Sequence, residues 1–171
     1  MATEKLKFKI ELYATYWDLP PIANVMVNGK SFYNGPIIEN KDYPKVLQFY
    51  HEVHYGDGDI DKEHGENNLY DLCIYRGNKH HKQTILGADG KIEKDQVLHI
   101  KSVEIDDIDI GALVYDAVYT PEYPKQWAEQ QRKEGAKLPE SFKNCVNIGF
   151  NGTWKFTFGS PFYMWLLENL Y

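Results

Sequence analysis

Aromatic residues make up 15% of this 171-residue chain, with eight Phe, thirteen Tyr and four Trp. They fall in short runs beside β-branched residues rather than at helical spacing, and that pattern predicts a mainly β protein. Candidate strands run over 5–13, 22–27, 30–33, 46–53, 69–75, 82–86, 96–105 and 108–119. Their lengths and spacing suit a jelly-roll-like antiparallel β-sandwich. Asn28-Gly29 and Asp89-Gly90 offer residues that tolerate positive φ, so both are expected at hairpin tips. The stretch from Leu69 to Tyr75 is apolar on both faces and should be a central strand.

Between Leu98 and Ile110 the apolar residues sit at 98 and 100, then 103 and 105, then 108 and 110, so their parity flips twice. A strand cannot change its buried face without an extra residue. Bulges or corners are therefore predicted near Lys101-Ser102 and Asp106-Asp107, where strands would pass between sheets. Beyond Tyr119 the alternation stops. Pro121, Pro124 and Pro139 bracket a polar, helix-compatible piece over 125–134. Val146, Ile148 and Phe150 then alternate, as do Trp154, Phe156 and Phe158, and a hairpin through a left-handed Gly152 is predicted to join the two rows. Ser160-Pro161 reads as an N-cap and first-turn proline of a C-terminal helix that is apolar nearly all round. Such a helix needs cover, and Phe162, Trp165, Leu166 and Leu170 are the candidate interface residues. The expected division is a sandwich core over 1–119 and an extension over 120–171, packed on that core or on a neighbouring subunit.

Charge narrows the function. The formal net charge is −6 and no basic run is present, which argues against nucleic acid as a partner, because phosphate binding needs clustered Lys and Arg. No apolar run is long enough to span a membrane and no export signal opens the chain, so synthesis in the cytoplasm is expected. Cys73 and Cys145 read as packed thiols. Nucleophile elbows, phosphate loops, dinucleotide fingerprints and CxxC pairs are all missing, so no enzyme is predicted. A glycan hydrolase built on paired carboxylates is a third reading without a motif to support it.

Two kinds of residue carry binding chemistry. Asp57, Asp59, Asp61 and Glu66 lie in a Gly-containing loop, where alternating carboxylates suit calcium with its six to eight oxygens. The loop is no EF-hand, since Lys62 and Asn68 occupy positions that need Gly and a bidentate carboxylate. It reads either as a solvated connection or as a calcium site. Asp106, Asp107 and Asp109 form a second acidic group, read as an exposed corner or another ion site. His51 and His54, three apart on a strand, point to opposite faces and cannot share a metal. Tyr16 and Trp17 sit in a loop stiffened by Pro20-Pro21, and flat aromatic faces there suit stacking on a sugar ring or a protein partner. Tyr55 and Trp127 are further candidates for carbohydrate or partner binding. Asn151-Gly152-Thr153 matches a glycosylation sequon but is read as a turn.

The segment 5–111 resembles the jelly-roll modules of calcium-dependent xylan-binding proteins, through Val25 to Gly29, Glu66 to Asp71 and Val103 to Gly111. The last third is similar to small virion structural proteins of tailed phages that infect cyanobacteria, through Tyr123 to Trp127, Leu138 to Ser141, Asn151 to Phe156 and Ser160 to Tyr171. These resemblances imply a non-catalytic virion component made in the host cytoplasm, with a sugar-binding type of sandwich, calcium as its ion, and other virion subunits, its own copies or a glycan as partners. A calcium-dependent carbohydrate-binding module of a glycan-processing system is the competing reading.

Overall fold

The computed structural model describes residues 2–55, 69–80, 83–114 and 116–170. In chain order the strands are β1 (Ala2–Thr15), β2 (Ile22–Val27), β3 (Lys30–Pro36), β4 (Lys45–Tyr55), β5 (Leu69–Gly77), β6 (Ile85–Leu86), β7 (Ile92–Lys94), β8 (Val97–Ile105) and β9 (Ile108–Asp109). A short helix α1 (Gly111–Val114) leads to β10 (Val118–Pro121), α2 (Lys125–Lys133), β11 (Phe142–Lys143), β12 (Asn147–Ile148), β13 (Gly152–Gly159) and α3 (Phe162–Leu170). Sheet A has the order β12-β8-β1-β4, with β9 folded back on β8, and sheet B runs β11-β10-β13-β5-β2-β3. Every pairing is antiparallel, and β6 with β7 forms a separate ribbon. This is the expected mainly β sandwich, with its helical excursion and C-terminal helix. No described helix is long and apolar enough to cross a membrane.

The sandwich follows from alternation. In β1, Leu6, Phe8, Ile10 and Leu12 turn inward and are fully buried, while Lys5, Lys7, Lys9 and Glu11 face out. Opposite them, Tyr70, Leu72 and Ile74 of β5 and Trp154, Phe156 and Phe158 of β13 line the core from sheet B. β5 is an interior strand, as its two-sided apolar pattern requires. Asn28 (φ 47) and Gly29 (φ 83) make the tight turn between β2 and β3.

The parity flips of β8 have two different causes. Glu11 pairs with Ser102 and Leu12 with Ile100, so Lys101 is the extra residue of a bulge. Asp106 (φ 52) and Asp107 (φ 63) form a tight turn that returns the chain as β9 on β8. The expected passage between sheets does not happen at either place. β8 stays in sheet A throughout, the candidate strand 108–119 is divided into β9, α1 and β10, and the chain reaches sheet B only with β10.

Two further expectations change in the C-terminal third. The hairpin through Gly152 is not formed, because β12 pairs with β8 in sheet A whereas β13 pairs with β5 and β10 in sheet B. Both apolar rows still face the core, but from opposite layers. Gly152 is required by closeness instead, since a Cβ there would collide with the Thr120 carbonyl and the Pro121 Cα. β13, within residues 120–171, lies between β5 and β10 and completes sheet B. Finally, Ser160 does not cap α3. Its hydroxyl and the Phe162 N–H both donate to Oε1 of Glu4, at 2.8 and 2.7 Å, so a carboxylate from β1 supplies the capping acceptor.

Candidate functional site: a polar knot beneath exposed aromatics

The two ends of the sandwich differ. One, the helix end, gathers the β2–β3 turn, the close of β4, the start of β5 and the first turn of α3. The other, the loop end, gathers residues 16–21 after β1, 78–80 and 83–84 after β5, 95–96 before β8 and the crossover 149–151.

Arg76 is the centre of the loop end. The parity of β5 turns it inward beside Ile74, where it is fully buried. Its guanidinium donates to the backbone oxygen and side-chain Oε1 of Gln96, at 2.7 and 2.6 Å, and to Oδ1 of Asn151 at 2.9 Å. Burial pushes its pKa down to about 10, against the pull of Tyr119 and Asp95. Gln96 in turn donates to the carbonyls of Leu19 and Asn78 (2.7 and 3.1 Å), and Asn78 donates to that of Pro20 (2.9 Å). Loop carbonyls that no strand can pair are thus satisfied by side chains.

A second tier surrounds Lys79. Its ammonium bonds Asp95 Oδ1 at 2.9 Å and the Gly149 carbonyl, and burial lowers its pKa despite Asp95. Burial alone would raise the Asp95 carboxyl, but hydrogen bonds from Thr84, Lys79 and the Gln96 N–H hold it below the usual range. The Asn151 side chain accepts from the Lys79 N–H and donates to the Lys79 carbonyl, so the sequon amide is committed to the fold. Tyr119 donates to the Phe150 carbonyl, and burial raises its phenol well above the ordinary value.

Aromatic rings stand on this knot. Trp17 Nε1 donates to the Gln83 carbonyl at 2.8 Å, and Gln83 is buried and bonded through both its backbone and its side chain to His80. Lys94 Nζ lies 4.8 Å from the Trp17 ring centroid, yet Trp17 stays 43% exposed. Trp127, on α2, packs on Phe150 and Tyr123 with centroids 5.2 and 5.9 Å away and stays 39% exposed. Lys79 caps the Phe150 ring at 5.3 Å, which joins the second tier to this aromatic group. Tyr16 is also exposed beside Trp17.

The remaining candidates lie elsewhere. Tyr55 closes β4 opposite Ala2, whereas Tyr16 follows Thr15 at the far end of β1, about 40 Å away at ~3.3 Å per residue. The structure therefore separates Tyr55 from Tyr16 and Trp17. Asp57, Asp59, Asp61 and Glu66 lie outside the described residues. Among the described residues, no group of three or more His, Cys, Asp or Glu is placed to hold a metal. In the second acidic group Asp106 accepts from the Lys7 N–H, Asp107 pairs with the Lys7 ammonium and Asp109 accepts from the Gly111 N–H, so the three do not converge. Of the interface candidates, Phe162 and Leu166 are buried in this chain's own core and Trp165 packs edge-on to Phe156. Those three cover the apolar β13 face beneath α3. The Leu170 side chain lies outside the described residues.

Arg76 is not among the candidates read from the sequence, although counting two residues at a time from Leu72 places it in the inward row.

No family model matches the chain, and no curated protein matches it. Among solved structures it is similar to a carbohydrate-binding module, vCBM60 in complex with galactobiose, with 9% identity and a TM-score of 0.44, covering 88% of this chain and 96% of that one. It is also similar to a selenomethionine form of vCBM60, with 6% identity and a TM-score of 0.46, covering 88% and 89%. That structure is described together with a circular permutation linking two families of calcium-dependent carbohydrate-binding modules.

Proposed function

We propose that this chain is a non-catalytic virion module that adheres to glycans through the loop end, with Trp17 as the principal stacking surface and Trp127 as a second. The observation that carries the reading is that Trp17 is pinned without being buried. Its Nε1 bond to the carbonyl of the buried Gln83 fixes the ring, and nearly half of it remains in solvent. A ring fixed before contact loses little entropy on stacking against the apolar face of a sugar. Asp95, the knot's carboxylate, is taken up by three hydrogen bonds, which favours adhesion over acid–base chemistry. The virion setting rests on the sequence resemblance read over 123–127, 138–141, 151–156 and 160–171 alone.

In this reading the loop end binds without an ion, since among the described residues no group of three or more His, Cys, Asp or Glu is placed to hold one. Binding should therefore survive chelator. A glycan array followed by calorimetry tests this. Trp17→Ala should weaken binding of any captured glycan by roughly 30-fold, equivalent to about 2 kcal/mol, while shifting the melting temperature by only a few degrees. Binding lost on chelation would move the site to Asp57, Asp59, Asp61 and Glu66, and reducing-sugar release would make the chain a hydrolase.

A further inference from the structure

Sheet edges present unpaired backbone groups that other chains can extend, and folds usually blunt them with short strands, bulges, Gly or Pro. Among the described residues the two sandwich sheets have four edges, and three of them are treated in this way. β11 and β12 are two residues long, and β3 has a register break opposite Val25 and Met26 and ends in Gly35-Pro36. The fourth edge, β4, is eleven residues long, holds unbroken register with β1 and contains neither Gly nor Pro. Among the described residues no strand but β1 pairs with it. Its lysine does not guard the edge either, because the Lys45 ammonium leans over the Tyr33 ring of sheet B, 5.2 Å from the centroid.

The outward row of β4 indicates what this edge accepts. Val46 and Tyr50 are 48% and 55% exposed, with Gln48 between them and Glu52 beyond. Antiparallel pairing of the strand with itself must match even positions to even ones, or buried faces would meet solvent faces. A two-fold at Gln48 sets Val46 against Tyr50 of the other copy twice over and places no like charges opposite each other. Moving the two-fold to Phe49 sets Val46 against Glu52 instead. We propose that a second copy of this chain adds across β4, antiparallel, about a two-fold axis at Gln48, so that the two copies of sheet A become one continuous sheet. Such an isologous contact is closed and yields a dimer.

Light scattering over a concentration series should show the full chain passing from monomer to dimer. V46E/Y50E, which sets glutamates opposite each other at both pairs, should weaken the dimer at least roughly tenfold. V46K/Y50E should restore it, because each lysine then faces a glutamate of the other copy. Both positions face solvent, so circular dichroism of the two variants should match the parent. If V46E/Y50E does not fold, Gln48→Cys keeps the test alive: it lies on the axis and should form a disulfide-linked dimer on mild oxidation, whereas Glu52→Cys should not. A parent chain that stays monomeric at its highest soluble concentration overturns the proposal. So does a dimer indifferent to V46E/Y50E, or one that V46K/Y50E fails to restore.

Discussion

The two ends of the sandwich are closed by opposite means. At the helix end α3 lies on sheet B through Phe162, fully buried and edge-on to Phe158 at 6.0 Å, and through Trp165 against Phe156 at 5.9 Å. One carboxylate, Glu4, fixes its first turn. At the loop end the buried space is held by Arg76, Gln96, Asn151 and Lys79, whose hydrogen bonds each end on a particular loop carbonyl or side chain. Apolar burial is strong but without direction, so it closes a surface well and places individual residues poorly. A hydrogen-bonded network costs desolvation and returns geometry. The exposed aromatics proposed to bind stand at the end built from geometry.

Two substitutions probe that contrast. Phe162→Ala should be the more damaging to stability, by about 3–5 kcal/mol in chemical denaturation, because it opens a cavity beneath α3. The fraction that remains folded should keep its glycan affinity, since no loop carbonyl loses a partner. Arg76→Met should cost less, about 2 kcal/mol, because an apolar side chain of similar length offsets part of the lost hydrogen bonding. Its effect on binding should be the larger. Amide exchange at Leu19, Asn78, Lys79, His80 and Gln83 should accelerate, and glycan affinity should fall by more than the stability loss alone produces. The contrast between the ends fails if Phe162→Ala abolishes binding in folded protein while Arg76→Met leaves it unchanged.

What could be read in advance follows the same division. Alternation along β1, β5 and β13 reveals which side chains face the core, and the doubled parity flip in β8 locates both the Lys101 bulge and the Asp106-Asp107 turn. Alternation states a face but not a layer. Residues 146–158 were therefore open to a hairpin, although the chain crosses from sheet A to sheet B at 149–151. Local rules also pick Ser160 as the cap, whereas the acceptor comes from Glu4, 156 residues away. At the site, Trp17 and Trp127 are visible as aromatics in polar, proline-flanked stretches. The network beneath them is not, because arginine is ordinarily a surface residue and Asn151-Gly152 resembles an ordinary turn. Only the geometry of two sheets meeting at one end brings Arg76, Gln96 and Asn151 together.

The smallest expected effect concerns the charge within the knot. Asp95 Oδ1 accepts from the Thr84 hydroxyl at 2.6 Å, the Gln96 N–H at 2.8 Å and the Lys79 ammonium at 2.9 Å. Burial favours the protonated acid, the three donors more than offset it, and the carboxyl is harder to protonate in the folded protein than in the unfolded chain. As pH falls, the unfolded chain takes up this proton first. Asp95 therefore contributes its full stabilisation above the ordinary carboxylate range, near pH 4, and loses it as pH drops through that range towards the lowered value. Asp95→Asn should be about 1 kcal/mol less stable than the parent at neutral pH, and that difference should shrink between about pH 5 and pH 2. If it stays constant across the range, Asp95 supports the knot through shape and neutral hydrogen bonds, and the loop end would then owe its order to Arg76 and Gln96 rather than to the Lys79 ion pair.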